Sequence, residues 1–470
     1  MEPVAPPLTK GYHEATFAAM ATPFGESGIG IVRISGPAAE AISSSLFRPR
    51  KTPLPLASHR FTYGEIIDPE QGTPVDEVLV VLLKAPKTYT REDMVEIQCH
   101  GGYLILQKIL DLVIKQGARM AEPGEFTRRA FLNGRIDLAQ AEAVVDLIRA
   151  KTAASLEIAN QQLRGRLSEE LNLLRQALME VLALIEAHID FPEEEIDPIS
   201  VGQVKGKLEP IAQGIDKMVA TYEEGKIFRE GVSCAIIGKT NVGKSSLLNI
   251  LLREERAIVT PVPGTTRDVI EEVFNIRNIP IRLLDTAGLR KTKDPVEIEG
   301  VKRTRLKISD SDFVIVVLDG SAPLDQDDFE IFQELKDKKK LIAINKEDLP
   351  PGICLSSIRE QFPIDPIVFI SALKNQGIDE LKEAVYKLLI HHSFIRSPEY
   401  TIVANVRHKN ILIKTNGYVI NALDGLDRGI SPEFIAFELR SALDSLGEII
   451  GQTTPEEVLN LIFEQFCIGK

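Results

Sequence analysis

Short apolar segments separated by turn residues dominate the first 130 residues. Residues 30–34, 78–83 and 95–98 are rich in strand-forming side chains, whereas residues 104–115 show the spacing of an amphipathic helix. This pattern predicts a mixed α+β domain, which we place at residues 1–133.

A longer helical pattern follows. Apolar side chains recur every three or four positions and predict one stripe along a long helix: Leu163, Leu167, Leu171, Leu174, Leu178, Val181 and Ile185. The acidic, proline-containing segment 191–198 is expected to end this helix, and a second helical stretch reaches about residue 228. Residues 134–230 are therefore predicted to be helical.

Between residues 231 and 390 the pattern changes to continuous apolar runs that alternate with helical segments. These runs are residues 234–237, 281–284, 313–318, 341–344 and 367–370. Strands that are buried on both faces of a parallel sheet have this composition. The segment is therefore predicted to be a doubly wound α/β domain.

The remaining residues, 391–470, return to a helical pattern. Thr454, Pro455 and Glu457 predict an N-cap, a first-turn proline and a capping box for a last helix over residues 455–466. The two helical segments are interpreted as parts of one split helical domain, with the α/β domain inserted between them.

Composition narrows the class of protein. The chain has 470 residues, 44% hydrophobic content and a formal net charge of −13, which argues against a protein that coats nucleic acid. No apolar run approaches the roughly 18–20 residues that a membrane span needs, and the four cysteines lack CxxC spacing. We expect a cytoplasmic protein of several domains that makes no membrane contact.

A phosphate-binding loop opens the α/β domain. Residues 238–245 fit the motif G-x-x-x-x-G-K-S and directly follow a predicted strand. Glycines let backbone N–H groups approach the phosphates, Lys244 reaches the β and γ oxygens, and the Ser245 hydroxyl ligates Mg²⁺.

Three further motifs follow in the order that guanine-nucleotide binding requires. Residues 285–288 (Asp285, Thr286, Ala287, Gly288) suit a loop that senses the γ-phosphate. Asn345, Lys346 and Asp348 follow another strand, and Asp348 suits the two adjacent donors of guanine, while Ser371 and Ala372 offer a backbone donor to its O6. Adenine lacks this pattern, so the sequence predicts a Ras-like G domain that uses GTP as its substrate.

Two features depart from Ras-type sites. Leu289 stands where those enzymes carry the glutamine that orients water, so another residue has to do this. Segment 261–268 is predicted to be switch I, with Thr266 as the second Mg²⁺ ligand. The second departure is that no arginine finger is evident, although one could come in trans. Asn241 inside the phosphate-binding loop suggests that a monovalent cation supplies this positive charge instead.

These features resemble the potassium-activated, TrmE–Era-type GTPases. Segments 31–36, 92–102, 123–134 and 467–470 look like the MnmE (TrmE) family of tRNA modification GTPases, and the similarity covers nearly the whole chain. The resemblance implies a folate-binding, dimerising N-terminal domain and a homodimer that works on the wobble uridine of tRNA. It also implies a flavoprotein partner, MnmG (GidA), and a reduced folate, 5-formyl- or methylene-tetrahydrofolate, as the one-carbon source.

The resemblance also assigns residues. It implies K⁺ ligands at Asn241, Thr260, Val262 and Thr265. It also implies that Glu297 positions the attacking water, although the residues alone make Asp294, Glu297 and Glu299 nearly equal candidates for this role. It implies folate contacts at Arg33, Glu96, Arg135 and Lys470, and a role for Cys467 in modification. The full set predicted to bind GTP is Asn241, Val242, Gly243, Lys244, Ser245, Ser246, Thr260, Val262, Gly264, Thr265, Thr266, Asp285, Thr286, Ala287, Gly288, Asn345, Lys346, Asp348, Ser371 and Ala372.

A regulatory GTPase that binds ribosomal RNA or ribosomes, as Era-type proteins do, is the alternative. The α/β domain by itself does not distinguish the two functions. The flanking segments do, because they lack a basic RNA-binding module and end in Cys-Ile-Gly-Lys. The favoured hypothesis is therefore a GTPase whose hydrolysis drives conformational change during tRNA modification.

Overall fold

The computed structural model describes residues 15–23, 25–51, 55–190, 201–255, 272–284, 309–335, 338–390 and 400–470. The segment expected to end the long helix, 191–198, lies outside these residues. Among the described residues, none of the helices combines the length and apolar character that a membrane span requires.

The N-terminal part is a seven-stranded sheet with two helices on one face. Its strands are β1 Phe17–Met20, β2 Ser27–Ser35, β3 Phe47–Pro49, β4 Phe61–Ile67, β5 Pro74–Leu83, β6 Met94–Gly101 and β7 Arg119–Met120, and its helices are α1 Ala39–Leu46 and α2 Tyr103–Lys115. The strand order is β3-β4-β5-β6-β2-β1-β7, and only β1 and β7 pair in parallel. The strands and the helix predicted here are confirmed.

Alternation along the strands decides which residues face away from these helices. Val32 and Ile34 lie in the core with α1 and α2, so Arg33 between them points to the opposite face. The strand register pairs Arg33 with Glu96, Glu96 with Val81, and Val81 with Phe61. On the opposite face, one row of side chains therefore runs from the charged pair of Arg33 and Glu96 to the apolar Phe61.

The first helical segment contains a break that the sequence pattern did not reveal. Helix α3 Glu125–Leu132 precedes this segment, whose helices are α4 Leu138–Arg149, α5 Ala153–Leu163, α6 Arg166–Asp190, α7 Val201–Ala220 and α8 Tyr222–Glu230. The prediction of one helix starting at Leu163 is wrong, because Leu163 ends α5. Gly165 has φ of +89°, a left-handed conformation that stops one helix and lets the next begin. From Leu167 onward the predicted stripe lies on α6.

The α/β part has helices on both faces of a six-stranded sheet. Its strands are β8 Val232–Ile237, β9 Glu272–Ile276, β10 Ile279–Leu283, β11 Phe313–Asp319, β12 Lys339–Asn345 and β13 Ile367–Phe369, and its helices are α9 Lys244–Glu255, α10 Gln326–Glu334, α11 Leu355–Gln361 and α12 Ile378–Leu389. The order is β13-β12-β11-β8-β10-β9. Alternate residues of β11 lie in two separate cores: Phe313 and Ile315 pack with α9 and α12, and Val314 and Val316 with α10 and α11. This arrangement confirms the doubly wound fold.

Strand β9 was not predicted, and it pairs antiparallel with β10. The two strands are joined at Arg277 and Asn278, which have φ of +49° and +70°. Two successive left-handed residues are typical of a tight hairpin turn, but this turn lacks the glycine that usually signals one.

The helical segments before and after the α/β part share one core. The later helices are α13 Val406–Asp427, α14 Pro432–Ile450 and α15 Glu456–Phe463. Leu171 of α6 and Leu208 of α7 lie in the same cluster as Leu412 of α13 and Leu439 of α14, and all four are fully buried. Each such side chain contributes roughly 1.5–3 kcal/mol to folding. The chain thus has an N-terminal α+β part, a split helical part and an inserted α/β part, while the boundaries at 133, 230 and 390 stay predictions.

The start of the last helix differs from the prediction. Pro455 is the N-cap residue of α15 and makes no side-chain cap, so the predicted capping box of Thr454 and Glu457 is wrong. The Thr454 hydroxyl instead donates to the carbonyl oxygen of Glu448 at 2.8 Å. The helix also ends at Phe463 rather than at Phe466.

Candidate active site

The phosphate-binding loop connects β8 to α9, and packing dictates two of its glycines. Gly238 has φ of +151°, and a Cβ there would lie 2.2 Å from the carbonyl oxygen of Val317. Gly243 has φ of +101°, and a Cβ there would lie 2.1 Å from Nδ2 of Asn345. Glycine is needed at both positions because any side chain would collide with neighbouring strands.

Lys244 and Ser245 begin α9 and lie beside this loop. The Nζ of Lys244 donates to the carbonyl oxygen of Gly238 at 2.7 Å and also contacts the carbonyl of Lys239. The first turn of a helix presents N–H groups and a positive dipole end, which suits phosphate. Asn241 is exposed and has φ of +62°, a left-handed conformation that asparagine tolerates better than most residues.

Asn345 joins the phosphate-binding loop to the predicted guanine loop. Its Nδ2 donates to the carbonyl oxygen of Val242 at 2.8 Å, and its Oδ1 accepts from the N–H of Ala372 at 2.9 Å. Only 3% of Asn345 is exposed, so both bonds are sheltered from water. The predicted binding residue Asn345 therefore holds two loops in register.

The predicted base-recognition residues lie next to this link. The hydroxyl of Ser371 donates to Oδ1 of Asp348 at 2.7 Å, and this bond holds the pKa of Asp348 below its usual value. Lys346 is left-handed, with φ of +68°, and its Nζ pairs with Asp319. A charged Asp348 is the state that accepts hydrogen bonds from the guanine N–H groups.

Much of the remaining nucleotide site falls outside the described residues. This applies to the predicted residues of both switch segments: Thr260, Val262, Gly264, Thr265, Thr266, Asp285, Thr286, Ala287, Gly288 and Glu297. Their roles stay predictions.

Arg33 and Glu96 form a close ion pair on neighbouring strands. Arg33 Nε lies 2.9 Å and Nη2 lies 2.7 Å from Glu96 Oε1. Glu96 Oε2 makes no hydrogen bond to a described residue. The guanidinium also lies 5.5 Å from the ring centroid of Phe126, which fixes its plane against an aromatic surface.

The C-terminal segment reaches this same pair. Arg33 Nη1 donates to the carbonyl oxygen of Gly469 at 3.4 Å, and the N–H of Phe126 donates to the carbonyl oxygen of Lys470 at 3.1 Å. The N–H of Gly124 donates to the carbonyl oxygen of Cys467 at 3.4 Å. Residues 467–470 are thus held by their main chain against β2 and the start of α3.

Glycine at position 469 makes this close approach possible. Its φ is +96°, and a Cβ would lie 2.2 Å from the carbonyl oxygen of Met20. Behind the segment, Phe463 and Phe466 pack in a cluster with Phe131 and Leu138.

The structure therefore brings Arg33, Glu96 and Lys470 together. Burial lowers the pKa of Lys470, and the nearby Arg33 lowers it further. Cys467 lies at the edge of this group and is exposed.

Arg135 is not in direct contact with this group. Its Nη1 donates to the carbonyl oxygen of Tyr89 at 2.9 Å, and its guanidinium lies 4.6 Å from the Tyr89 ring centroid. Tyr89 in turn bonds to the hydroxyl of Thr127 at 3.0 Å, beside Phe126. These contacts connect Arg135 to the tail through Tyr89, Thr127 and Phe126.

Sequence reasoning missed Gly124, Phe126 and Gly469 as residues that position the tail. A Pro-Gly pair directly before a helix signals the left-handed Gly124, whose φ is +68°. No local signal pairs Gly124 or Phe126 with the far end of the chain.

The Ras-like fold and the loops joined by Asn345 define a GTP-hydrolysing enzyme. The family model of the MnmE helical domain matches residues 138–467, and that of the GTP-binding protein TrmE N-terminus matches residues 16–135. The tRNA modification GTPase MnmE of Geobacter sulfurreducens is 50% identical over 98% of this chain and 100% of that protein. The chain belongs to the MnmE family of tRNA modification GTPases.

Two further curated relatives carry the same family name. The tRNA modification GTPase MnmE of Geobacter metallireducens is 50% identical over 98% of this chain and 100% of that protein. The corresponding protein of Thermoanaerobacter pseudethanolicus is 47% identical over 97% of this chain and 99% of that protein. Among solved structures, the G domain of the T. maritima FeoB iron transporter is 29% identical over 33% of this chain and 98% of that chain, with a TM-score of 0.26. The family assignment favours tRNA modification over the ribosome-associated alternative.

Proposed function

We propose that this chain is a potassium-activated GTPase whose hydrolysis cycle drives wobble-uridine modification with a reduced folate as one-carbon source. The product would carry an aminomethyl or carboxymethylaminomethyl group at C5, and a flavoprotein of the MnmG (GidA) type would be the partner. The observation that carries this proposal is the meeting of Arg33 and Glu96 with residues 467–470.

The chemistry of this group fits a reduced folate. Glu96 Oε2 is available to accept from the pterin N–H groups, while Arg33 and Lys470 offer positive charge to carboxylates of the glutamate tail. Arg135, anchored on Tyr89, would add a more distant cation. Cys467 would act from the edge of this group of residues, where its exposure leaves the thiol accessible.

The nucleotide residues fit GTP with two cations. Lys244 and the first turn of α9 would hold the phosphates, Ser245 and Thr266 would ligate Mg²⁺, and Asn241 would ligate K⁺ with Thr260, Val262 and Thr265. Both cations, when bound, supply positive charge to the phosphates during hydrolysis. Glu297 would orient the attacking water.

An apolar patch supports the proposed homodimer. Phe61, Tyr63 and Leu79 are 57%, 44% and 41% exposed, and they lie on the same face of the sheet as Arg33 and Glu96. A second copy that covers this patch would place two folate sites close to one interface. The cytoplasm is the proposed compartment.

The proposal is tested by calorimetric titration of 5-formyltetrahydrofolate into the full chain and into its Arg33→Gln variant. We expect saturable binding by the wild type and clearly weaker binding by Arg33→Gln. Arg48→Gln is the matched control, since Arg48 is an exposed arginine of the same sheet that lies apart from Arg33, Glu96 and Lys470. Absence of binding by a folded, GTP-competent protein would contradict the proposal, and equal losses in both variants would remove Arg33 from the site.

A further inference from the structure

A cavity of about 640 Å³ lies where the helical and α/β parts meet. Its walls come from α4, α5, α8, β10, the start of α13 and the end of α15. We call it the junction cavity. Among the residues that the structure describes, none of those predicted to bind nucleotide or folate lines it.

The junction cavity is cationic in a chain that is acidic overall. Its charged lining consists of Arg149, Lys151, Arg229, Arg282 and Arg407 against Glu142, Asp146 and Glu230. The whole chain has a net charge of −13, so five cations facing three carboxylates stand out. Such a site attracts an anion.

Two of the arginines are already neutralised, one by the buried Glu142 and one by the half-buried Asp146. Arg407 Nη2 lies 2.7 Å from Glu142, and Arg229 Nε lies 2.8 Å from Asp146. The Nε of Arg282 is buried but has no hydrogen-bond partner among the described residues. A buried N–H group without an acceptor is unfavourable, and Arg282 lines the cavity, where its positive charge attracts an anion.

The same cavity touches the segment that carries Cys467. Arg149 Nη2 donates to the carbonyl oxygen of Gln465 at 2.8 Å, and both residues line the cavity. Two residues span at most about 7 Å, so Gln465 lies within that reach of Cys467. Ile462 and Phe466 supply an apolar wall on this side.

We propose that the junction cavity binds a phosphodiester group of the RNA backbone, with Arg282, Arg149 and Lys151 as the phosphate-contacting side chains. This inference rests on the proposed function, because it assumes that the substrate RNA approaches the tail. Guanidinium groups match phosphate oxygens in geometry. Arg149 and Lys151 are exposed, so an extended backbone reaches them without opening the protein.

RNA binding is measured with a synthetic anticodon stem–loop hairpin that carries an unmodified wobble uridine. Fluorescence anisotropy at several salt concentrations compares the wild type with the double variant Arg282→Gln/Lys151→Gln. Each lost phosphate contact reduces the slope of log affinity against log salt by about 0.7–0.9. Because the proposed site holds one phosphodiester group, we expect the slope of the double variant to fall by about 0.7–0.9, together with weaker binding.

The matched control is Arg440→Gln/Lys205→Gln, which removes two cations from surface pairs with Glu186 and Asp427 outside the cavity. We expect it to keep the wild-type slope. Glu230→Gln removes a negative charge from the lining and should strengthen hairpin binding, a gain that loss of folding cannot mimic. Equal slopes in the cavity variant and in its control would overturn the proposal.

A second experiment distinguishes an RNA ligand from a small phosphate compound. Calorimetric titration of inorganic phosphate should show no binding that depends on Arg282. If phosphate binding depends on Arg282 and hairpin binding does not, the RNA assignment is overturned. Folate titration and GTP hydrolysis are measured on the same variants, so failure here is distinguishable from failure of the proposed function.

Discussion

Asn345 Nδ2 donates to the carbonyl oxygen of Val242 at 2.8 Å, so the predicted guanine loop is tied directly to the phosphate-binding loop. Because Asn345 also accepts from the N–H of Ala372, one buried amide positions three segments. Base recognition and phosphate binding therefore share a support.

Asn345→Asp should weaken nucleotide binding. A carboxylate cannot donate to Val242, and a buried acceptor left unpaired costs about 1–3 kcal/mol, or roughly 5–150-fold in affinity. Titration with a fluorescent GDP analogue measures the effect. Asn172→Asp, an exposed position of α6, is the control and should bind as the wild type does. Unchanged affinity of Asn345→Asp would show that the loops hold without this link.

Asp348→Asn should change the preferred base from guanine to xanthine. The carboxylate is predicted to accept two guanine N–H groups, whereas an amide presents its own N–H and suits a carbonyl at that position of the base, as in xanthine. Loss of hydrogen bonds to a charged group costs about 1.5–3 kcal/mol. Competition between GTP and XTP should show weaker GTP binding and stronger XTP binding, and parallel losses for both would contradict the assignment.

Glu297→Ala should abolish hydrolysis but leave GTP binding nearly intact. Removing a group that positions water or moves a proton typically lowers the rate about 10²–10⁴-fold. Single-turnover hydrolysis and equilibrium binding separate the two effects, with Glu299→Ala as the control that retains activity. A comparable loss of binding and hydrolysis in Glu297→Ala would remove this residue from catalysis.

Acid should weaken the contact between the first and the second helical segment, where Glu142 pairs with Arg407 and His408. Burial raises the pKa of Glu142, but His408 and Arg407 more than offset this and hold that pKa at about 2. Because the folded pKa lies below the usual 4.5, the stabilisation is present above pH 4.5 and is lost as pH falls toward 2. It amounts to about 3 kcal/mol.

Thermal unfolding between pH 3 and pH 6 tests this linkage. We expect the wild type to lose stability steeply in the lower part of this range, and Glu142→Gln to be less stable at pH 6 with a flatter profile. Glu180→Gln, an exposed position of α6, should follow the wild type. If the unfolding temperature of Glu142→Gln depends on pH as that of the wild type does, the lowered pKa of Glu142 is contradicted.

The sequence pattern identified the elements whose signal is local. The apolar runs of β8, β11 and β12 predict buried parallel strands, and the phosphate-binding motif lies where the preceding strand requires it. Strand β9 was missed because its sequence, Glu-Val-Phe-Asn-Ile, mixes polar and apolar residues at a sheet edge.

Other features depend on contacts between distant segments. The break at Gly165 interrupts an apolar repeat that reads as continuous, and Thr454 bonds to Glu448 of the preceding helix instead of capping its own. The meeting of residues 467–470 with Arg33 is likewise invisible to a pattern, since it results from packing of Phe463 and Phe466 against Phe131.

Gly469→Ala should displace the tail. The left-handed conformation costs a non-glycine residue about 1–2 kcal/mol, and the added Cβ would collide with the carbonyl of Met20. Folate affinity measured by calorimetry should fall at least about 5–30-fold. Gly417→Ala is the control, because its Cβ would meet open space. Equal folate affinity in both variants would show that the observed tail position does not matter for binding.

The central claim is that residues 467–470 complete the folate site. Calorimetric titration of 5-formyltetrahydrofolate into the intact chain and into a chain ending at Phe466 tests it most directly. We predict saturable binding that the truncation weakens, because the truncation removes Lys470 and the carbonyl of Gly469 that contacts Arg33. Equal affinity of the two chains would contradict the claim and leave the folate site to the N-terminal sheet alone.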